Sequence, residues 1–258
     1  SSAASDVYKR QSMQYVGREP RFYASVAYNG STWYLLNEPN DANKDKQIFY
    51  YRGGGNGYTN TMFWLRTGIG VMKFVHPDDT NRDEKEEYIR KKAEPAIRYA
   101  EILLIYAEAL NELTGNYNIA SWDEETQYTI QRNIDEMKKG IQPIRIRAGI
   151  PDYTRSEYED QDLFREKLKR ERQIELMGEG HRYYDIRRWK DAEVEESLPI
   201  YGCNTLMTEK WRDVFHVPVA IPSLPTNFSR KMYFWPISHS ELKRNKMLTQ
   251  NPGWTYND

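Results

Sequence analysis

One segment, residues 97–113, constrains the fold of this chain more than any other. It contains neither glycine nor proline, and it lies between Pro95 and Gly115. Proline suits the first turn of a helix and glycine its end, so the segment is predicted to be helical. Its apolar side chains form two stripes at helical spacing, one of Ala100, Leu103, Leu104, Ala107 and Leu110 and one of Tyr99, Ile102, Tyr106, Ala109 and Leu113. Because one stripe is enough for a surface helix, this helix is predicted to pack on more than one side.

Helical spacing recurs along the chain and indicates a mainly α fold. Further helices are predicted at Thr126 to Lys139, Gln161 to Met177, His181 to Asp191 and, briefly, Ser240 to Asn245. Gly140 to Pro143 is predicted to end the first of these. The buried side of the helix at 161–177 is predicted to carry Leu163, Phe164, Leu168 and Ile174. Antiparallel pairs of such helices suit tetratricopeptide-like packing, an α–α superhelix, although the strict repeat signature is absent.

The region before the helices is rich in aromatic and turn-forming residues. Asn29-Gly30 is a tight-turn signal, because both residues tolerate positive φ. It predicts a short hairpin between Phe22 to Tyr28 and Thr32 to Leu36. Gly70 to Val75 is predicted to be another short strand. The fold is therefore expected to combine helix pairs with long irregular loops and a few short β-strands.

Residues 1–11 match the in-frame translation of a transposase adapter used to prepare DNA sequencing libraries. They are therefore predicted not to be native, the alternative being an ordinary polar tail. The remainder, 12–258, is predicted to be a single domain. Residues 12–92 form its aromatic loop and hairpin region, and residues 93–258 form its helix pairs and proline-rich C-terminal loops.

Charge and cysteine content exclude several classes of protein. Lys and Arg number 37 and Asp and Glu 38, so the chain has no excess of positive charge with which to bind nucleic acid. The single cysteine, Cys203, can form no internal disulfide and is predicted to be a small packed side chain. Tyrosine and tryptophan are abundant, at 20 and 7 residues, and these rings can either fill a core or offer a flat face to a ligand.

Several stretches, taken together, resemble the C-terminal portion of the SusD/RagB family. They are Arg18 to Ala24, the helix Arg98 to Glu112, Ile144 to Pro151, Arg170 to Leu176, Glu179 to Trp189, and a closing segment from Phe234-Trp235-Pro236-Ile237 to Gln250-Asn251-Pro252-Gly253-Trp254. Each stretch alone is weak, but their order and spacing agree over nearly the whole chain.

The resemblance implies a non-catalytic binding protein on the surface of a Gram-negative bacterium. Such proteins are expected to carry a lipid anchor on an N-terminal cysteine in the outer membrane. They hold a glycan, or in some members a peptide, over a SusC-like TonB-dependent transporter. The lipobox and the opening helices of the family are missing from this sequence, so the native C-terminus is expected here with a truncated N-terminus.

The segment Glu179 to Trp189 could suggest a catalytic site, since His181, Asp185 and Arg188 could move protons or bind an anion. Residues four apart on a helix more often lock helices together through charge-assisted hydrogen bonds, so Asp185 and Arg188 are predicted to be scaffold residues. No pair of histidines has metal-ligand spacing on one helix. No cofactor is therefore expected, and the protein is predicted not to be an enzyme.

Residues 41–47 place oxygen ligands at alternate positions, as at the start of a calcium loop. Lys46 replaces the turn glycine, however, and Arg52 stands where a glutamate would close the site. Calcium stays an open alternative to a solvated loop.

The aromatic segment Trp33 to Trp64 is the predicted ligand site, because sugar rings stack on flat aromatic faces while their hydroxyls need polar partners. The candidate residues are Trp33, Tyr50, Tyr51, Arg52, Asn56, Tyr58, Asn60 and Trp64. About half of these rings could instead be core, because aromatics also fill interiors. The functional alternative is a helical-repeat scaffold that binds peptides or other proteins.

Overall fold

The computed structural model describes residues 13–32, 47–59, 63–77, 79–81, 87–208, 212–224 and 226–255. Its α-helices are α1 Pro20–Ser25, α2 Tyr99–Asn111, α3 Ile134–Arg147, α4 Arg155–Glu159, α5 Gln161–Glu175, α6 His181–Arg188, α7 Ala192–Glu195, α8 Arg212–Phe215 and α9 His239–Arg244. Its strands are β1 Val26–Tyr28, β2 Ile69–Val71, β3 Thr80–Asn81, β4 Glu87–Tyr88, β5 Tyr117–Ala120, β6 Gln127–Ile130, β7 Tyr201–Gly202 and β8 Val219–Ala220. Short 3-10 helices occupy Met13–Tyr15 and Arg230–Tyr233. The mainly α fold with a few short strands is confirmed.

The main core lies where α2 packs against α3 and α5, with α4 at its end. It contains Leu104, Ala107, Leu110, Met137, Ile141, Ile144, Tyr158, Phe164, Leu168 and Leu176. Phe164 and Leu168 are buried as predicted, but Leu163 is 43% exposed. Leu163 is one residue out of phase with the stripe that Phe164 and Leu168 form, and one residue is about 100° around a helix.

Described residues cover the first apolar stripe of α2 but leave most of the second exposed. Leu104, Ala107 and Leu110 are buried, whereas Tyr99 is 76% and Ile102 is 48% exposed. The expected packing on more than one side is therefore wrong for the described part of the chain. The reason is geometric, since α3 and α5 both approach α2 from the side of the first stripe.

Helix α3 begins later than expected and continues through the residues that were predicted to end it. Asn133 caps its start, accepting a hydrogen bond from the backbone N–H of Glu136 at 3.1 Å. Pro143 lies on the exposed side, where water can satisfy the carbonyl that a proline leaves unpaired. Gly140 lies against α2, where a Cβ would come within 2.4 Å of the Leu103 carbonyl oxygen. This glycine therefore permits close helix contact and does not break the helix.

Residues 127–130, which were predicted to be helical, form strand β6. It pairs antiparallel with β5 in the register Tyr117↔Ile130 and Ile119↔Tyr128. Each of these two cross-strand pairs joins an aromatic residue to a β-branched one, which favours strand pairing over a helix start. The hairpin lies between α2 and α3 in the sequence.

The predicted hairpin near the N-terminus is also corrected. Pro20 occupies the first turn of α1, so the first part of the expected strand is helical. Strand β1 follows α1. It pairs with β2, with Ala27 opposite Gly70, and does not pair with the segment after the turn. The turn itself is present, since Gly30 has a φ of 87°. Residues 33–36 lie outside the described part. Strand β2 covers only the first two residues of the strand predicted at 70–75, and residues 72–75 are not in a strand.

A group of paired charges, here called the ionic cluster, joins the loop region to the helices. It contains Arg21, Lys73, Arg98, Arg145, Arg147, Glu171, Glu175 and Glu179. Glu171 and Glu175 of α5 are only 1% and 4% exposed. Arg21 reaches both of them, at 2.6 and 3.1 Å, from α1. The cluster thus fixes the N-terminal segment on the helical core.

Candidate ligand-binding site

Two tyrosines of the predicted ligand site lie in the core. Tyr50 is 7% exposed and packs with Ala27, Ile48, Cys203 and Phe215. Tyr51 is partly buried against the same core, and its ring meets that of Phe215 edge-on at 6.5 Å. The Tyr50 N–H donates to the side-chain oxygen of Asn29 and the Arg52 N–H donates to the Met207 carbonyl, and these bonds hold the segment in place. Tyr50 therefore offers almost no surface to a ligand, whereas Tyr51 is only partly buried, and the role of both in binding stays a prediction.

The other described candidates form a loop cluster of Arg52, Asn56, Tyr58 and Trp64. The rings of Tyr58 and Trp64 meet at 5.3 Å with an interplanar angle of 85°. The Arg52 guanidinium lies 5.7 Å from the Tyr58 ring centre. Arg52 and Asn56 are exposed, whereas both rings are only partly exposed. This cluster offers two ring edges and two polar groups, and its role in binding stays a prediction.

Trp33, Asn60 and residues 41–46 of the predicted calcium loop lie outside the described residues. Gln47 is described, and its amide donates a hydrogen bond to the Gly30 carbonyl at 2.9 Å. Within the described ranges, no three His, Cys, Asp or Glu side chains gather as a metal site would require. None of the described helices is long and apolar enough to cross a bilayer.

The segment that could suggest catalysis locks helices together, as predicted for Asp185 and Arg188. Asp185 is 4% exposed and accepts two hydrogen bonds from Arg172 of α5, at 2.9 and 3.1 Å. Arg188 bonds to both Asp185 and Glu108 of α2. Glu108 also accepts from the Trp189 indole N–H at 2.7 Å. These bonds fix α6 onto α2 and α5.

The other face of α6 forms one wall of an open groove of about 950 Å³, here called the C-terminal groove. The opposite wall comes from the C-terminal segment, around the 3-10 helix at 230–233 and residues 234–253. The groove is lined by Tyr183, Tyr184, Arg187, Arg188, Lys190, Glu193, Arg230, Lys231, Tyr233, Phe234, Trp235, Pro252 and Gly253. Its volume falls in the range of small-molecule and cofactor sites.

Three side chains of the last turn of the chain, here called the clasp, shape the second wall. They are Gln250, Asn251 and Trp254. The Gln250 amide both donates to and accepts from the backbone of Ile237, at 2.9 and 2.8 Å. Asn251 donates to the Trp235 carbonyl at 2.6 Å, and the Trp254 indole donates to the Phe234 carbonyl at 2.9 Å. The clasp thus holds the backbone that carries the groove's aromatic residues.

Aromatic side chains in the groove are held by their backbone while their rings remain accessible. Trp235 is 75% exposed, Tyr184 69% and Phe234 61%. The Trp235 ring lies 6.5 Å from that of Tyr183 with a 36° angle between the planes. Tyr183 in turn meets Tyr184 edge-on at 5.2 Å. Large exposed rings on a fixed backbone are suited to stacking against the apolar face of a ligand.

Positive charge predominates at this groove, although the whole chain carries a formal net charge of −1. Five of the six charged side chains that line it are cationic. Arg187 is neutralised by Glu196, with hydrogen bonds of 3.1 and 2.9 Å, and its guanidinium lies 3.5 Å from the Tyr183 ring centre. Arg188 is neutralised by Asp185 and Glu108.

Sequence reasoning placed the ligand site before Val75 and missed this groove. Its aromatic residues come from two segments about 50 positions apart, Tyr183-Tyr184 and Phe234-Trp235. A sequence pattern cannot bring such segments together, because the contact depends on how the C-terminal segment folds back on α6. The sequence contains one indication of the groove, the closing motif at 250–254. This motif supplies the clasp, but in the sequence alone it indicates only the family resemblance.

A comparison with models of known families shows the family of this chain. The SusD family model matches residues 2–254. The chain belongs to the SusD family. A curated member, SusD-like protein P2 of Formosa agariphila, is 31% identical over 162 residues, which make up 61% of this chain and 25% of that protein. The chain therefore spans only about a quarter of that relative in the matched part.

Solved structures of SusD-like proteins have the same fold. The selenomethionine form of BT4246 superposes with a TM-score of 0.74 at 24% identity, over 95% of this chain and 39% of that one. The SusD-like protein BF3747 from Bacteroides fragilis NCTC 9343 superposes with a TM-score of 0.65 at 25% identity, over 93% and 40% of the two chains. The tetratricopeptide-like helical fold expected from the resemblance is thus confirmed.

Proposed function

We propose that this chain is part of a cell-surface protein that captures glycans without chemically changing them. Its membership of the SusD family supports a role in nutrient binding. The C-terminal groove is the observation that carries the proposal within the chain itself. It combines exposed aromatic rings with polar side chains in a cavity large enough for a few sugar units.

Affinity would come from stacking and hydrogen bonding. Trp235 and Tyr184 each present an apolar ring face, against which the C–H face of a pyranose can pack. Exposed arginine and lysine side chains beside them can donate hydrogen bonds to hydroxyl groups. The loop cluster of Arg52, Tyr58 and Trp64 is a second surface of similar chemistry, which could contact a longer glycan.

The protein that contains this chain would pass the glycan to a SusC-like TonB-dependent transporter. A lipid anchor in the outer membrane would hold it at the cell surface. Both proposals follow from the family, and neither the transporter contact nor the anchor is located on the described residues.

Isothermal titration of the purified chain with a panel of glycans tests the binding proposal. We expect stable binding of at least one glycan without its turnover. The double substitution Tyr184→Ala with Trp235→Ala should then weaken binding by about tenfold or more, because each stacked ring contributes on the order of 1 kcal/mol.

Trp122→Ala with Tyr128→Ala is the matched control, since it also removes one exposed tryptophan and one exposed tyrosine but outside both the groove and the loop cluster. Thermal melting of all variants separates loss of binding from loss of folding. Turnover of a glycan without stable binding would overturn the proposal, and so would binding of peptides alone.

A further inference from the structure

We propose that the C-terminal groove selects anionic glycans, whose sugars carry a carboxylate or a sulfate, through Lys190 and Arg230. This inference rests on the proposed function, because it names the class of ligand for the same site. The neutral alternative is a groove that recognises sugars by stacking and hydroxyl bonding alone.

Cations outnumber carboxylates among the side chains that line the groove. Arg187 and Arg188 line it but are each neutralised by glutamate or aspartate. Lys190 and Arg230 line it as well, and neither makes an ion pair within the described part of the chain. Glu193 is the sole carboxylate among the lining residues. Two cations without a paired carboxylate thus line the same cavity, and a bound anion would neutralise their charge.

Lys190 has a backbone conformation that is unusual for a lysine. This residue follows the end of α6 with a φ of 62°, in the left-handed region where glycine is the usual residue. Its N–H donates to the Arg187 carbonyl at 3.1 Å, so the position is the normal C-terminal cap of a helix. A lysine there is less favourable than glycine for the backbone. A side chain kept at a strained position points to a use for that side chain.

The groove brings exposed aromatic rings and cationic side chains into the same cavity. Trp235 and Tyr184 supply exposed apolar faces in the same groove as Lys190 and Arg230. An acidic sugar has both features that this arrangement can use, an apolar ring face and a charged group at its edge. A small inorganic anion would use only the cations, and a neutral sugar would use only the rings.

Matched ligands with and without a charged group test the proposal by isothermal titration. One pair is an oligogalacturonate and the same oligosaccharide with its carboxyls methyl-esterified. A second pair is a sulfated galactan oligosaccharide and its desulfated form, which distinguishes sulfate from carboxylate as the recognised group. The charged member of at least one pair should bind about tenfold more tightly or better, because hydrogen bonds to charged groups are stronger than neutral ones. Its affinity should fall as sodium chloride is raised.

Two variants assign that preference to the groove. Lys190→Gln with Arg230→Gln should remove most of the difference between the charged and uncharged ligands. Lys91→Gln with Lys243→Gln changes the net charge equally at exposed positions outside the groove, and it should leave the difference intact. Lys190→Gly removes one charge while suiting the left-handed backbone, so it should weaken binding of the charged ligand without lowering the melting temperature.

The outcomes separate this inference from the function on which it rests. Equal binding of charged and uncharged ligands would overturn the inference and leave glycan capture standing. The same holds if the groove variants change binding no more than the control does. Failure to bind any glycan would overturn both proposals.

Discussion

The helical core and the C-terminal groove contain the same kinds of aromatic residue in opposite situations. Phe164 and Tyr158 are fully buried where α2, α3 and α5 meet, while Trp235 and Tyr184 expose more than two thirds of their surface. Core rings are fixed by the side chains around them. Groove rings are fixed through their backbone, by the clasp on one wall and by α6 on the other. Stability and binding should therefore be separable by mutation.

The largest expected effect contrasts one ring from each region. Phe164→Ala leaves a cavity in the core and should reduce the free energy of unfolding by about 3–5 kcal/mol. Trp235→Ala removes a ring that is 75% exposed, and it should change that free energy by only about 0.5 kcal/mol while weakening glycan binding. Urea unfolding and titration with a glycan measure the two quantities. A large loss of stability in Trp235→Ala would show that the groove is part of the folding core.

Helix α6 packs on the helical core and also lines the groove. A substitution in α6 therefore tests whether stability and binding are independent. Asp185→Ala would leave the guanidinium of Arg172, which is 3% exposed, without its carboxylate partner. Breaking a buried pair in this way should cost about 3–5 kcal/mol. Glu159→Ala is the control, since its exposed pair with Arg155 is worth only about 0.3–0.5 kcal/mol.

Because Tyr184 lies next to Asp185, the same substitution should also weaken glycan binding. The measurement is a comparison of urea unfolding and ligand titration for both variants. Unchanged binding in folded Asp185→Ala would mean that the clasp alone sets the geometry of the groove.

The two regions also differ in how far the sequence predicts them. Helices α2, α5 and α6 were predicted within a few residues, because their apolar spacing, caps and flanking glycines all indicate the same structure. The predicted start of α3 at Thr126 is wrong, because Tyr128 and Thr129 can adopt either helix or strand. Pairing with β5, which lies earlier in the chain, decides for the strand. Local propensity contains no information on that partner.

The candidate site was predicted less well for a related reason. Aromatic composition could place rings in the segment 33–64, but it could not tell which side of the backbone each ring would occupy. Tyr50 points into a core completed by Cys203 and Phe215, which lie more than 150 residues further on. The groove likewise depends on contacts between α6 and the C-terminal segment. The burial of Tyr50 and the formation of the groove both depend on contacts between distant parts of the sequence.

Gly140 gives a smaller and more local test of the helical core. A Cβ at this position would lie 2.4 Å from the Leu103 carbonyl oxygen and 2.9 Å from the Cβ of Ala107. Gly140→Ala should therefore push α3 away from α2 and cost about 1–3 kcal/mol, despite the better helix propensity of alanine. Gly115→Ala is the matched control, because a Cβ there meets nothing within 4 Å.

Circular dichroism during thermal unfolding measures the difference between the two variants. Glycan binding by Gly140→Ala should stay near that of the parent chain at temperatures where it is folded. If Gly140→Ala were as stable as Gly115→Ala, the close contact between α2 and α3 would not be the reason for this glycine.

Lowering the pH should weaken the ionic cluster before it weakens the clasp. Glu179 of the ionic cluster bonds to Arg98 at 2.7 Å and to Lys73 at 2.5 Å. Burial would raise the pKa of Glu179, but its bonds to these two cations outweigh burial and hold the pKa below its usual value. A carboxyl whose pKa is lower in the folded state stabilises the protein above the unfolded pKa, and this contribution is lost as pH falls through the folded pKa. The clasp contains amide and indole groups, which do not titrate in this range.

We therefore expect Glu179→Gln to be less stable than the parent chain at neutral pH, with the difference shrinking below a pH of roughly 4.5, near the ordinary glutamate pKa. This is the smallest of the expected effects, because the pair is partly open to solvent. Glu241→Gln is the control, because exposed ion pairs such as that of Glu241 with Arg244 contribute little to stability. Melting temperatures across this pH range provide the measurement. A difference that stayed constant with pH would mean that Glu179 acts through packing and not through its charge, and the ionic cluster would then not be what ties the loop region to the helices.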